Sequence, residues 1–131
     1  MMDLLLDTHV IFWMMASPDE LSPSTRSVLE DPSSSLWASS ASAFEVSQKV
    51  RLGKWPQAAP LAWAWTERLH DYGIEDVPLT AQDMAAAGSM NWHHRDPFDR
   101  MLCAQAARRG LTLVSADEVF QEVPGLRCMT P

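Results

Sequence analysis

Apolar residues fall along this chain in two kinds of run. Some are short and unbroken, such as Leu4-Leu5-Leu6 and Leu111-Thr112-Leu113-Val114, the form of a strand covered on both faces. Residues 2–6, Leu36-Trp37-Ala38, 74–79, 111–114 and 126–129 are expected as strands. The intervening segments carry apolar residues at helical spacing. Helices are expected over His9–Met15, from Ser22-Pro23 with proline at the first helical position, from Ser42 to Gly53, and from Pro60 to Asp71. Further helices are expected from Thr80 through Met90 and from Asp96 to a stop at Gly110, with a short one over Asp117–Val123. Asp31-Pro32-Ser33-Ser34-Ser35 reads as a turn. Strands that alternate with helices imply an α/β fold, a mostly parallel sheet between two helical layers.

A chain of 131 residues with 47% apolar content and no long linker or internal repeat reads as one domain, residues 1–131. Such a domain buries a core without staples, so Cys103 and Cys128 are expected as buried free thiols, and a reducing cytoplasm fits. The start lacks a basic segment, and Asp3 and Asp7 interrupt its apolar residues, unlike a signal peptide. No segment approaches the roughly 20 apolar residues of a membrane span. A net charge of −7 argues against strong sequence-independent nucleic-acid binding, which rests on neutralising phosphates. A nuclease stays compatible with it, because carboxylates gathered around cations inflate the negative count.

Four carboxylates sit where strands stop or helices start: Asp7 after the first apolar run, Glu45 and Asp99 near helix starts, and Asp117 after the run ending at Val114. In an open parallel sheet those places converge beyond the carboxyl ends of the strands. Converging carboxylates repel one another unless a cation lies among them, and hard oxygen ligands suit Mg²⁺ or Mn²⁺. The bland alternative is local. Ser42-x-x-Glu45, Thr80-x-x-Asp83 and Asp96-x-x-Asp99 all have the form of a capping box, in which the acid only bonds the backbone. Asp7 resists that explanation, since a charge directly after a buried strand is costly without partners. His93 and His94, adjacent in a loop, read as a solvated pair.

Leu5-Leu6-Asp7-Thr8-His9, Phe44-Glu45-Val46-x-x-Lys49, His94-Arg95-Asp96-Pro97-Phe98-Asp99-Arg100 and Leu113-Val114-Ser115-Ala116-Asp117-x-x-Phe120 resemble, in order and over nearly the whole chain, a PIN domain. More closely they resemble the VapC toxin ribonucleases of toxin–antitoxin pairs. The resemblance implies a three-layer α/β/α sandwich and an endoribonuclease dependent on Mg²⁺ or Mn²⁺. Its acidic set falls on Asp7, Glu45, Asp99 and Asp117, as catalytic and metal-binding residues. Asp96 is the expected N-cap of the Asp99 helix, and Thr8 and Ser115 match hydroxyls that steady neighbouring acids. Phe44 stands where the family often has Trp, Ser115 where it has Thr, and His9 where many members have Asn.

The implied reaction is hydrolysis of an RNA phosphodiester by metal-activated water. Lys49, Arg95 and Arg100 are candidates for RNA backbone contact, and Lys49 equally fits a simple i,i+4 pair with Glu45. The family pairs each toxin with an antitoxin and forms homodimers. Trp63 and Trp65 cannot both face the core; Trp65 follows the stripe of Leu61, Ala62 and Leu69, which leaves Trp63 for a protein interface. Two rival readings are a non-catalytic PIN-like binding module, which has no need of four repelling acids, and a receiver-like phosphoacceptor, whose Asp and Lys pattern is absent.

Overall fold

Leu4, Leu5 and Leu6 have no exposed surface at all, a burial pattern that a strand acquires only when both faces of its sheet are covered. The computed structural model describes residues 2–131. The strands are β1 (Asp3–Leu6), β2 (Ser35–Ser39), β3 (Ile74–Val77), β4 (Thr112–Val114) and β5 (Cys128–Met129). They form one sheet in the order β3-β2-β1-β4-β5, every pair parallel. The helices are α1 (Thr8–Ala16), α2 (Pro23–Glu30), α3 (Ser40–Arg51), α4 (Ala59–Trp63), α5 (Trp65–Asp71), α6 (Ala81–Ser89) and α7 (Pro97–Arg109).

The period-two alternation of β1 divides the core. Leu4 and Leu6 pack with Val10, Ile11, Val46 and Leu69, from α1, α3 and α5, on one face. Leu5 packs with Leu102, Cys103 and Ala106 of α7 and with Phe120 on the other. The expected α/β/α sandwich is therefore present, with β1 at its centre. The chain runs outward from β1 through β2 to β3, then crosses back to β4 on the other side of β1. That reversal opens a crevice at the carboxyl ends of β1 and β4, the usual ligand position in such sheets.

Several boundaries differ from expectation for identifiable reasons. Helix α3 begins at Ser40, with Ser39 as N-cap accepting the Ala41 N–H. Ser42 thus lies inside the helix, and Ser42-x-x-Glu45 is no capping box. The expected Pro60–Asp71 helix breaks at Ala64 (φ −134°, ψ 45°). Beyond the break the Trp65 indole N–H donates to Asp76 Oδ1 at 2.9 Å. β3 stops at Val77, just before Pro78, which has no N–H for a ladder. Glu118–Glu122 is a 3₁₀ turn rather than an α-helix. Cys103 is buried, but Cys128 is exposed, because β5 is a two-residue edge strand with little to cover it. Gly110 ends α7 in the left-handed region (φ 66°), as its position suggested.

Candidate active site

The register places Leu6 between Ala38 and Val114, so the next residue of each strand, Asp7, Ser39 and Ser115, reaches the same edge together. Asp7 anchors there through its backbone N–H to Val114 O at 3.0 Å. It is also the N-cap of α1, its Oδ1 accepting the Thr8 N–H at 2.7 Å. Its Oδ2 accepts the Ser115 hydroxyl at 2.6 Å. The same Ser115 Oγ accepts the Asp117 N–H at 3.0 Å, and Asp117 in turn caps the 3₁₀ turn through Val119 N–H. Ser115 thus ties two of the four acids to each other.

Glu45 arrives from the second turn of α3 and is nearly buried. Thr8 Oγ1 donates to Glu45 Oε1 at 2.6 Å and lies 2.9 Å from Ser42 Oγ. Lys49 Nζ donates to Glu45 Oε2 at 3.1 Å, the i,i+4 pair foreseen. Asp99 is the third residue of α7. Asp96 caps that helix by accepting the Phe98 and Asp99 N–H groups. The Asp99 carboxylate faces His94 instead, with His94 Nε2 2.6 Å from Asp99 Oδ2.

Asp7, Glu45, Asp96, Asp99 and Asp117 line one open cleft of about 400 Å³, with Lys49 at its side and His9 and Trp13 in its wall. Burial pushes the Asp7 carboxyl above its ordinary value and the Glu45 charge adds to this, against the pull of the Ser115 and Thr8 hydrogen bonds. Asp99 is pushed up to about 6, by burial first and then by the charges of Asp96 and Asp7, while the His94 hydrogen bond works the other way. These two acids hold their protons more tightly because burial and neighbouring carboxylates disfavour their charged forms.

The donor set fits a hard divalent ion. Every candidate ligand is a carboxylate oxygen, and the acids discourage one another's ionisation in a way a cation would relieve. As the side chains stand, no three of them are gathered closely enough to enclose an ion among the described residues. Carboxylates keep free lone pairs beyond the hydrogen bonds described, so the same groups can serve as ligands without losing their supports.

The other candidates separate. Arg100 does not face the cleft. Its guanidinium donates to the carbonyls of Ala87, Gly88, Met90, Trp92 and His94, at 2.7 to 3.5 Å. Those bonds use all five N–H donors, which leaves none for an RNA phosphate, and Arg100 is instead the clamp of the loop before α7. Arg95 is exposed and does not line the cleft. Trp63, on α4, is 81% exposed and does not line the cleft of the acids, while Trp65 packs against the core as expected. His93 is a surface residue near Glu122; His94 is not its solvated twin but part of the site. Its five-residue distance from Asp99 held no helical or strand period, so spacing did not reveal it. His9 and Trp13 also went unnoticed as cleft residues, although their i,i+4 spacing after Asp7 was there to be used.

A cleft of paired strand-end and helix-start acids, on a parallel sheet of this strand order, defines the class. The PIN domain family model matches residues 4–126, and the chain belongs to that family. A curated relative, ribonuclease VapC22 of Mycobacterium tuberculosis, is 29% identical over 118 residues, covering 89% of this chain and 88% of its own. Among solved structures, VapBC2 from Rickettsia felis bound to a DNA fragment from their promoter aligns with a TM-score of 0.72 at 15% identity over 98% of both chains. DNA-bound VapBC from Salmonella typhimurium aligns with a TM-score of 0.68 at 22% identity, covering 99% of this chain and 98% of its own. These structural likenesses establish the fold. No helix among the described residues is long and apolar enough to cross a membrane.

Proposed function

We propose that this protein is an endoribonuclease toxin that hydrolyses RNA phosphodiester bonds with Mg²⁺ or Mn²⁺ and is neutralised by a cognate antitoxin. The observation that carries this is the convergence of Asp7, Glu45, Asp99 and Asp117 on one cleft, where burial and mutual repulsion keep Asp7 and Asp99 reluctant to ionise. A pure binding module gains nothing from that cost. The name of the mycobacterial relative and the toxin–antitoxin complexes among the structural neighbours support the same reading.

One or two divalent ions held by these four acids would lower the pKa of a bound water and polarise the scissile phosphate. The chain's own groups set the stage. Thr8 fixes Glu45, and Ser115 fixes Asp7 and the start of the Asp117 turn, so each acid keeps one orientation. Lys49, which lines the cleft and pairs with Glu45, supplies positive charge for a phosphate, and the exposed Arg95 is a further candidate for RNA backbone contact. Trp63 is the surface we assign to the antitoxin or to a second copy in a homodimer, in a cytoplasmic protein whose cysteines stay unpaired. RNA incubated with purified protein and Mg²⁺ or Mn²⁺ should be cleaved by wild type and spared by Asp7→Asn and Asp99→Asn. Equal cleavage by the variants would mean a contaminating nuclease and would sink the assignment.

A further inference from the structure

The acids are not alone in lining the cleft; two further lining side chains are aromatic and have no role in the chemistry described above. His9 and Trp13 both line the cleft. They lie four residues apart on α1, hence on one face of it and ~6 Å apart along its axis. The His9 ring is stacked on Trp55, with centroids 4.5 Å apart and planes 20° apart. Trp13 stands at 6.0 Å from His9, and Phe12 backs Trp55 at 5.0 Å. Trp13, Trp55 and Phe12 are partly buried against the core, whereas His9 is exposed. A solvent-facing ring is thus mounted on a row of anchored ones. Asp7 is the N-cap of the same helix, so the acid, His9 and Trp13 are held at a fixed offset by one rigid element.

We propose that His9 and Trp13 form a stacking subsite for an unpaired nucleobase next to the scissile phosphate. This rests on the ribonuclease reading given above and names a part of the substrate that the acids cannot hold. Every base offers a π-face, and stacking on aromatic side chains is how proteins grip single-stranded nucleic acid without many cations. That matters in a chain with a net charge of −7, where phosphate contacts alone are poorly supported. A base buried in a duplex cannot reach such a wall, so the subsite selects single-stranded or looped RNA at that position.

The test uses the full chain and a short fluorescein-labelled single-stranded oligoribonucleotide, with anisotropy read in Ca²⁺ and cleavage in Mg²⁺ or Mn²⁺. His9→Ala, at an exposed position, should weaken binding about tenfold, the loss of one base stack, and should raise KM more than it lowers kcat. His9→Phe keeps an aromatic ring and discards the ring nitrogens, and should retain most of the affinity. Quenching of tryptophan fluorescence by the oligonucleotide should shrink in His9→Ala and survive in His9→Phe. Replacing successive bases by abasic sites should expose one position whose loss costs wild type as much as His9→Ala does. A wild type that cleaves RNA while His9→Ala binds and turns over with unchanged Kd and KM would overturn the subsite and leave the ribonuclease reading standing. His9→Phe as weak as His9→Ala would assign His9 a polar role and equally overturn stacking. A wild type that neither binds nor cleaves would defeat the ribonuclease reading itself.

Discussion

Asp83 and Asp99 occupy the same place in successive helices, each the third residue after its N-cap, and their surroundings drive them in opposite directions. Asp83 has no exposed surface. Burial would raise its pKa, but the Thr80 N–H, Arg108 and Arg109 outweigh that and hold the carboxyl below its ordinary value. Asp99 keeps a little exposed side-chain surface, and burial, followed by the charges of Asp96 and Asp7, pushes it up to about 6. The difference lies in where the arginines go. Arg108 and Arg109, from the last turn of α7, both close on Asp83. Arg100, one residue after Asp99, turns away to clamp loop carbonyls. One helix start is completed from within the chain; the other is left short of positive charge at the mouth of the cleft. Position in the helix does not separate these two acids; the arginine pair that closes on Asp83 and leaves Asp99 without such partners does.

The largest expected effect comes from removing the satisfied acid. Asp83→Ala deletes a capping box and leaves two guanidinium groups facing a buried space, and should cost about 2–4 kcal/mol once their partial exposure is allowed for. Urea unfolding should show a lower midpoint at an unchanged slope. Asp99→Asn, by contrast, should leave stability unchanged or raised in EDTA while abolishing cleavage. Added Mg²⁺ or Mn²⁺ should raise the melting temperature of wild type, as any ligand specific to the folded state does, and not that of Asp99→Asn. Equal destabilisation by the two substitutions would erase the contrast between these helix starts.

The two acids should also titrate with opposite signs. A carboxylate with a lowered folded pKa contributes stability that is complete above its unfolded value, near ~4, and lost as pH falls through its folded value. That describes Asp83. Asp99 binds its proton more tightly when folded, so between the unfolded value and about 6 the folded state holds more protons, and stability falls as pH rises through that window. Metal-free wild type should therefore lose up to about 3 kcal/mol relative to Asp99→Asn between roughly pH 4 and pH 7. Parallel stability curves for the two proteins would refute the raised pKa.

Much of this contrast was visible in the chain and some was not. Thr80-x-x-Asp83 and Asp96-Pro97 marked two helix starts, and both are there. The acids after β1 and β4 were placed correctly because strand ends in a parallel sheet share an edge. Local patterns failed where distant partners decide. Ser42-x-x-Glu45 has the form of a box, but the strand before it runs on to Ser39 and takes the cap there, so Glu45 is left to bond Thr8 and Lys49. Nothing local distinguished Asp83 from Asp99, since the arginines that neutralise Asp83 lie 25 and 26 residues away. Cys128 misled because the expected strand 126–129 became a two-residue edge strand. Arg100 misled because a cation beside a candidate site acid invites a substrate role, and the loop carbonyls that claim it fold back from 87 to 94.

That loop gives the smallest of the expected effects and the finest test of the comparison. In place of an arginine pair Asp99 has one neighbour, His94, whose ring leans on Trp92 with centroids 4.9 Å apart and whose carbonyl accepts from Arg100 Nη1 at 2.8 Å. A single imidazole can orient a carboxylate without neutralising it fully, which leaves the acid attractive to an external cation. His94 is then a positioning residue for Asp99. His94→Ala should weaken Mn²⁺ binding about 10- to 100-fold, the usual cost of losing a partner behind a ligand, with stability changed by less than about 1 kcal/mol at this part-exposed site. His94→Gln, which can still donate to Asp99, should recover most of that affinity, whereas His94→Leu should not. Calorimetric titration with Mn²⁺ reads the difference without any RNA. If His94→Leu bound the ion as tightly as wild type, Asp99 would need no orientation from the loop, and the clamp of Arg100 on the 87–94 carbonyls would serve the fold alone.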